Sequence, residues 1–221
     1  MAGRWLSFDC FGTLVDWWHG FTTTGELLFP GRGADIRDAY LRHEPDIERE
    51  VPTPLYREVL TEGLRRAAAE LSLPLHADDA NALALTLPSW PVFPDVAAAL
   101  AACRHDGWRL ALLSNCDREL IALTRRRLPA AFDAAVTAED VGAYKPDPAH
   151  FRHFREVFAP DGWVHVAQSH YHDVRPAHAL GIPRIWINRL GEPDDPTLAD
   201  EVLPDLTGLP AAVRRLATAA G

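Results

Sequence analysis

Short apolar runs alternate with segments of helical length through the second half of this sequence, and this alternation limits the possible folds more than any other feature. After a first run at 4–8, strands are predicted at 108–113, 134–137, 163–167 and 184–187. Helices are predicted before and between them, at 95–105, 117–128, 148–158 and 173–180. Strands that are joined by helices form right-handed βαβ units and a parallel sheet. The pattern therefore predicts an α/β fold with a doubly wound parallel sheet.

Residues 17–90 interrupt this alternation and show no strand-like pattern. Three segments within them have the apolar spacing of helices: 34–40, 54–71 and 77–87. The sequence therefore predicts a helical cap domain at 17–90. It is inserted between two parts of an α/β core domain, at 1–16 and 91–221.

The charge balance argues against two classes of partner. Asp and Glu outnumber Lys and Arg by 31 to 22, and the net charge of −9 repels phosphate backbones and anionic lipids. No apolar stretch approaches the roughly 20 residues of a membrane span, and the amino-terminal run has an early acid and no cleavage-type ending. The 3 cysteines have neither paired nor metal-ligand spacing and are expected as reduced thiols. We therefore expect a cytoplasmic protein that binds neither nucleic acid nor membranes.

Polar residues follow the ends of several predicted strands, where ligands bind in doubly wound sheets. Asp9 follows the run at 4–8, Ser114 and Asn115 follow the next strand along the chain, and a polar stretch at 168–173 follows a later one. Composition adds one more candidate, because Lys145 is the single lysine among 22 basic residues. A compact ammonium is expected to serve there in a way that a guanidinium cannot.

Four segments resemble, in order and spacing, the four motifs of the haloacid dehalogenase (HAD) superfamily. They are FDCFGTLVD at 8–16, LLSN ending at Asn115, YKPDP at 144–148 and the segment 168–173. That family combines a Rossmann-like core with a helical cap after the first strand, so the resemblance covers nearly the whole chain. The run WINR at 186–189 is similar to the 2-haloacid dehalogenase (type II) branch.

The resemblance implies that Asp9 is a nucleophile that forms a covalent ester; a strand-end cap is the alternative. Thr13 is expected to hold Asp9 in place, or only to satisfy the turn after Gly12. Phosphatases of the superfamily carry a second Asp two residues after the nucleophile, where this chain has Phe11. Because Phe cannot protonate a leaving alcohol and a halide needs no proton, Phe11 favours cleavage of a carbon–halogen bond.

The fourth motif predicts a site without a metal or any other cofactor. Phosphatases of the family usually place a magnesium-binding acid where this chain has Gln168, and a neutral amide is a weak ligand for magnesium. Lys145 is expected to balance the charge of Asp9 instead, with a surface lysine as the alternative. Asp173 would orient Lys145 or polarise the hydrolytic water, unless it only caps the following helix.

The remaining candidates concern the substrate. By the resemblance, Ser114 and Asn115 hydrogen-bond its carboxylate, although this pair could also cap the next helix. His170 is a candidate base for the hydrolytic water, or a structural histidine. The cap segment LFPGRGA at 28–34 matches that of the dehalogenases, which supply an Arg to the departing halide. Arg42 and Arg37 are the candidates for this Arg. The alternative for either residue is a position on a solvated helix face.

The sequence thus predicts a metal-independent hydrolase that cleaves the carbon–halogen bond of short 2-haloacids, and the resemblance implies a preference for the (S) substrate. Its expected partner is the small 2-halocarboxylate. Trp17, Trp18 and Phe21 are candidates to line an apolar pocket for it, with ordinary core as the alternative. Related dehalogenases are commonly dimers, and a homodimer stays open. Two alternatives also stay open: a Mg²⁺-dependent phosphatase of small metabolites, and a silent family member that binds a small carboxylate.

Overall fold

The computed structural model describes residues 3–50 and 53–219 of the chain, and its contacts divide the chain into two units. The α/β unit comprises Met1–Val15, Val92–Ser114 and Leu128–Gly221, and the helical unit comprises Asp16–Pro91 and Asn115–Arg127. The helical unit thus includes a segment, 115–127, that the sequence prediction assigned to the core. The ends of the predicted domains and residues 51–52 of the predicted cap lie outside the described residues.

Six strands of the described residues form one sheet in the order β3-β2-β1-β4-β5-β6, and every pair is parallel. They are β1 (Arg4–Phe8), β2 (Arg109–Ser114), β3 (Ala134–Thr137), β4 (Gly162–Ala167), β5 (Arg184–Ile187) and β6 (Glu201–Leu203). The predicted doubly wound parallel sheet is confirmed. Sequence analysis does not find β6, because three residues are too few to show a strand pattern.

The described residues also form ten α-helices. They are α1 (Trp17–Leu28), α2 (Gly33–Glu48), α3 (Tyr56–Glu70), α4 (Ala82–Thr86), α5 (Val96–His105), α6 (Arg118–Arg125), α7 (Ala138–Val141), α8 (Ala149–Phe158), α9 (Arg175–Ala179) and α10 (Leu209–Ala219). Helix α2 is longer than predicted because it continues through Pro45. Helix α4 is shorter than the predicted 77–87 because a 3₁₀ turn, Ala77–Asp79, forms first. None of these helices is long and apolar enough to cross a membrane.

The strands of the α/β unit are apolar along most of their length because helices cover both faces of a doubly wound sheet. Trp5 of β1 packs edge to face on Phe154 of α8, with ring centroids 5.4 Å apart. Trp163 of β4 lies 4.9 Å from the same Phe154 ring. This aromatic layer fixes β1 and β4 side by side. All three cysteines of the chain are buried, and none forms a disulfide with another described residue.

The helical unit is built around buried aromatic rings. Trp17, Phe21, Tyr40 and Trp90 lie with ring centroids between 4.8 and 6.3 Å apart. The packing is so close that a Cβ at Gly20 would lie 2.2 Å from Cγ of Trp90. Trp17 and Phe21 are therefore core of the helical unit, the second of their two predicted roles, whereas Trp18 is half-buried.

Candidate active site

The carboxyl end of β1 lies in the middle of the sheet, where the strand order reverses between β1 and β4. Ligands bind beyond the strand ends at such a switch point. Asp9 is the first residue after β1, and its backbone N–H donates to the carbonyl oxygen of Val166 in β4 at 3.1 Å. Strand pairing thus fixes the backbone of Asp9 at the position where this fold binds ligands.

The loop after Asp9 folds back and places a hydroxyl on the carboxylate. Two backbone N–H groups of the loop donate to the carbonyl oxygen of Cys10, and Gly12 adopts a φ of +94°, a conformation that favours glycine. The Thr13 hydroxyl donates to Oδ2 of Asp9 at 2.9 Å, and its oxygen accepts from the backbone N–H of Gln168 at 2.9 Å. Thr13 therefore contacts Asp9 directly rather than only satisfying the turn.

Lys145 is buried, with 1% of its side chain exposed, which excludes the surface alternative. Its ammonium donates to Oδ1 of Asp9 at 2.9 Å, to Oδ1 of Asp173 at 2.7 Å and to the carbonyl oxygen of Leu113 in β2 at 2.9 Å. These acceptors surround one point, which suits the three donors of an ammonium and not the planar fork of a guanidinium. The geometry gives a physical reason why this position alone carries Lys.

Asp173 is fully buried in a π-helical turn, His170–Val174. The residue that precedes α9 as its N-cap is Val174, so the alternative role, in which Asp173 only caps that helix, does not hold. Its Oδ1 accepts from Lys145 and also lies 2.9 Å from Nε2 of His165. Its Oδ2 is buried and has no hydrogen-bond partner among the described residues.

Sequence reasoning missed His165, which lies in β4 with 1% of its surface exposed. Its Nδ1 is 2.8 Å from Oγ of Ser7, and Ser7 is its direct neighbour in the pairing of β1 with β4. The Ser7 hydroxyl also accepts from Nε1 of Trp163 at 2.7 Å. A signal was present in the sequence, because Ser and His each interrupt an otherwise apolar strand.

Two carboxylates share one ammonium here, so the buried charge is net negative. Burial raises the pKa of Asp9, and the charge of Asp173 adds to the rise while Lys145 opposes it. Burial also acts to raise the pKa of Asp173, but Lys145 and His165 bring it well below its usual range. Burial acts to lower the pKa of Lys145, and the two carboxylates outweigh this effect and raise it. On acidification, Asp9 is therefore the carboxylate that protonates first.

The predicted carboxylate-binding pair follows β2. Ser114 is the last residue of that strand and is buried, and its carbonyl oxygen lies 3.2 Å from Nε2 of His150. Asn115 comes next and is half-buried. The N-cap of α6 is Asp117, so the Ser-Asn pair does not cap that helix. Phe11 is half-buried in the loop that follows Asp9.

His170, the candidate base, is engaged through both ring nitrogens. Nε2 lies 2.9 Å from the carbonyl oxygen of Asp195, to which it donates, and Nδ1 accepts from Nε of Arg175 at 3.3 Å. The ring also packs on Trp186, with centroids 5.0 Å apart. A nitrogen that already accepts a hydrogen bond is not free to take a proton from water. The geometry therefore favours the structural role for His170.

The donor groups of this site do not fit a magnesium ion. Gln168 stands where a magnesium-binding acid is expected, and its side-chain amide donates to Glu192 at 3.1 Å. The ammonium of Lys145 already bridges Asp9 and Asp173. Within 3–50 and 53–219, no three His, Cys, Asp or Glu side chains group closely enough to hold a metal ion. The positive charge beside both carboxylates is therefore that of Lys145.

Arg189, from the run WINR, braces the loop that carries Thr13. Its guanidinium donates to the carbonyl oxygen of Thr13 at 3.0 Å and pairs with Asp95 at 2.8 Å. It also lies over the ring of Phe93, 3.9 Å from the ring centroid. This arginine therefore positions the loop and, through it, the hydroxyl that holds Asp9.

The two candidate arginines for the halide already have partners within the helical unit. Arg42 pairs with Glu70, and 54% of its side chain is exposed. Arg37 donates to the hydroxyl of Thr22 at 2.9 Å and pairs with Asp38 at 2.6 Å. For Arg42 this arrangement matches the solvated helix face. Neither guanidinium is an uncommitted donor.

The chain matches the family of haloacid dehalogenase-like hydrolases over residues 4–167. Haloacetate dehalogenase H-2 of Moraxella sp. (strain B) is 30% identical, over 84% of this chain and 86% of that protein. The (S)-2-haloacid dehalogenase of Pseudomonas sp. (strain YL) is 27% identical, over 98% of this chain and 95% of that protein. Among solved structures, L-2-haloacid dehalogenase RSc1362 superposes with a TM-score of 0.84 at 25% identity, covering 97% of this chain and 100% of that one.

The parallel sheet and these similarities identify the chain as a hydrolase. It belongs to the haloacid dehalogenase-like family, which confirms the resemblance predicted from the four motifs. Phosphatases also occur among its relatives, matched over somewhat more than half of the chain. Family membership alone therefore does not define the substrate, which has to be argued from the site.

Proposed function

We propose that this hydrolase is a 2-haloacid dehalogenase that uses Asp9 as its nucleophile and needs no metal ion. The observation that carries the proposal is the buried ammonium of Lys145, which donates to both Asp9 and Asp173 and supplies the positive charge beside them. The names of the full-length relatives support the substrate class. Phe11 supports it independently, because a halide leaves without a proton donor.

In the first half-reaction, an oxygen of Asp9 attacks the carbon that bears the halogen. The carbon–halogen bond breaks, the halide leaves with the bonding electrons, and an ester forms with inversion at that carbon. Asp9 is suited to this step because Thr13 and Lys145 fix both of its oxygens. Burial withholds the solvent that would otherwise stabilise its charge.

In the second half-reaction, water attacks the carbonyl carbon of the Asp9 ester. The bond to the alkoxy oxygen breaks, the 2-hydroxycarboxylate takes up one proton of the water, and Asp9 returns to the carboxylate after losing the other. The ammonium of Lys145 stabilises the negative charge that develops on the former Asp9 oxygens. Asp173 supplies an acceptor for the attacking water through Oδ2, which has no hydrogen-bond partner within 3–50 and 53–219.

Substrate orientation is assigned to the end of β2. Ser114 and Asn115 would hydrogen-bond the substrate carboxylate, which places the halogen-bearing carbon before Asp9. Attack from one fixed side of that carbon selects one enantiomer. We assign the (S) substrate, because the relative that matches nearly the whole chain is an (S)-2-haloacid dehalogenase.

The test is halide release from (S)- and (R)-2-chloropropanoate by wild-type protein and by Asp9→Asn. We expect release from the (S) enantiomer alone, complete loss in Asp9→Asn with unchanged folding, and full activity in EDTA. Release that survives Asp9→Asn contradicts the nucleophile, and loss of activity in EDTA contradicts metal independence. No release from either enantiomer by the wild type contradicts the substrate class, and a panel of phosphate esters with Mg²⁺ would follow.

A further inference from the structure

A line of hydrogen bonds that takes no direct part in either half-reaction runs along one face of the sheet from Trp163 to Asp173. Nε1 of Trp163 is 2.7 Å from Oγ of Ser7, which is 2.8 Å from Nδ1 of His165. Nε2 of His165 is in turn 2.9 Å from Oδ1 of Asp173. All four side chains are buried. Buried polar groups of this kind are expected to be fully paired, so the position of each proton can be assigned.

The chemistry of the end groups sets the direction of the line. An indole N–H can only donate, so Ser7 accepts from Trp163 and has one hydroxyl proton left to donate. Among the described residues, Nδ1 of His165 is the one acceptor within hydrogen-bond distance of this hydroxyl, so the proton is assigned to that bond and Nδ1 is unprotonated. An ionised carboxylate can only accept, so Nε2 of His165 must carry the proton that faces Asp173. The arrangement therefore specifies a neutral His165 with its proton on Nε2.

This tautomer determines how the carboxylate of Asp173 is used. Oδ1 receives two donors, Nε2 of His165 and Nζ of Lys145, while Oδ2 receives none from the described residues. Without the histidine, the carboxylate could turn and offer either oxygen to Lys145. With it, one oxygen is held by both donors and the other is kept as an open acceptor.

We propose that His165 is a positioning residue for the hydrolytic half-reaction: held by Ser7 as the Nε2–H tautomer, it fixes Asp173 so that Oδ2 receives the water that cleaves the Asp9 ester. The inference rests on the proposed dehalogenase function. The water donates one hydrogen bond to Oδ2 and forms a C–O bond to the ester carbonyl carbon as the alkoxy oxygen leaves. His165 touches neither substrate nor water, so the first half-reaction does not depend on it.

The test separates the two half-reactions in His165→Leu and His165→Gln. Leu removes the donor at similar volume, whereas the side-chain amide of Gln can still donate to Asp173. In His165→Leu we expect one equivalent of halide per site at the wild-type rate and then turnover lowered roughly a hundredfold. Intact-protein mass spectrometry should show the carboxyalkyl ester accumulating on Asp9. In His165→Gln we expect most of the turnover to return.

A second measurement does not depend on activity. Nitrogen NMR of protein labelled in histidine should show His165 of the wild type with a proton on Nε2 and none on Nδ1. Ser7→Ala removes the donor to Nδ1 and should lose this fixed tautomer and accumulate ester in the same way, which keeps the proposal testable if His165→Leu does not fold. Urea unfolding of each variant reports its stability.

Three outcomes would overturn the inference. Equal slowing of the two half-reactions in His165→Leu and Ser7→Ala would show a purely structural role. Wild-type turnover in these two variants would show that His165 has no role in the reaction. A wild-type spectrum with the proton on Nδ1, or on both nitrogens, would contradict the assigned tautomer. If the wild type releases no halide, the proposed dehalogenase function fails and the role of His165 in it fails as well.

Discussion

At the scale of single residues, the site depends on one cation held between two carboxylates. Lys145 lies 2.9 Å from Asp9 and 2.7 Å from Asp173, and none of the three has more than 11% of its side chain exposed. Charges buried this deeply are tolerated only when they are paired and fully hydrogen-bonded. The same contacts hold Asp9, the proposed nucleophile, so stability and catalysis should respond together to changes at Lys145.

Replacement of the lysine tests this coupling. Lys145→Met leaves two buried carboxylates without a cation, and we expect a loss of about 3–5 kcal/mol in the free energy of unfolding, with halide release lost as well. Lys145→Arg keeps the charge but cannot direct three donors around one point, so we expect turnover to fall by at least about a hundredfold. Urea unfolding and steady-state halide release measure the two effects. An Arg variant with wild-type turnover would contradict the account.

The buried side chain of His150 makes the stability of the folded protein depend on pH. Burial lowers the pKa of His150 to about 3, and the charge of Lys145 adds to this effect. Its pKa in the unfolded chain is about 6.5, so between these two values the unfolded state binds a proton that the folded state does not. The contribution of His150 to the free energy of unfolding is therefore fully present above the unfolded pKa. On acidification this residue lowers the free energy of unfolding by up to about 1.4 kcal/mol per pH unit.

The matched variant is His150→Gln, which removes the titration and keeps a donor for the carbonyl oxygen of Ser114. We expect the free energy of unfolding to fall less steeply between pH 6 and about 4 in this variant than in the wild type. Urea titrations at several pH values give both slopes. Parallel slopes would show that His150 titrates in the folded protein as it does in the unfolded chain.

At the scale of elements, an acid fixes the start of α3 within the helical unit. Asp117 precedes α6, but its carboxylate accepts from the backbone N–H of Tyr56 at 2.6 Å and from that of Arg57 at 3.1 Å. Nε of Arg57 also donates to it at 2.8 Å. These backbone groups have no partner within their own helix, and a buried anion at the amino end also suits the helix dipole. Asp117 therefore ties α6 to α3.

Asp117→Ala removes these bonds and takes the acceptor from one buried and one part-buried backbone N–H group. We expect the free energy of unfolding to fall by about 3 kcal/mol. The control is Glu119→Ala, which breaks the ion pair of Arg57 with a carboxylate that is 68% exposed. That change should cost about 0.5 kcal/mol or less, because solvent screens exposed pairs. Equal losses in the two variants would contradict a special role for Asp117.

Local sequence patterns predicted the helices, the strands and the polar residues at the strand ends. The contacts of these residues with distant parts of the chain could not be predicted from local patterns. Asp9 and Lys145 could be found because each stands out in its own segment, as an acid at the end of an apolar run or as the single lysine. Ser7 and His165 are 158 positions apart, and only the register of β1 with β4 shows that they touch. The engagement of His170 depends on Asp195, in a distant loop whose path no periodicity predicts.

At the scale of the whole molecule, the parallel sheet brings the ends of β1, β2 and β4 to one edge and so assembles a site from distant segments. The order β3-β2-β1-β4-β5-β6 makes β1 central, which explains how Asp9 can be contacted by residues from both halves of the chain. If Asp9 is a covalent nucleophile, a carbon atom of the substrate is bonded to its carboxylate during each turnover. The path of the oxygen atoms through one turnover tests this requirement.

The most direct measurement is a single turnover of (S)-2-chloropropanoate by excess enzyme in ¹⁸O-labelled water. We expect the first product to carry unlabelled oxygen from Asp9 and the label to appear in the peptide containing Asp9, because water attacks the carbonyl carbon of the ester. Asp9→Asn should give neither product nor labelled peptide. Label in the first hydroxy acid, with none in the peptide of Asp9, would show direct displacement by water and contradict the account.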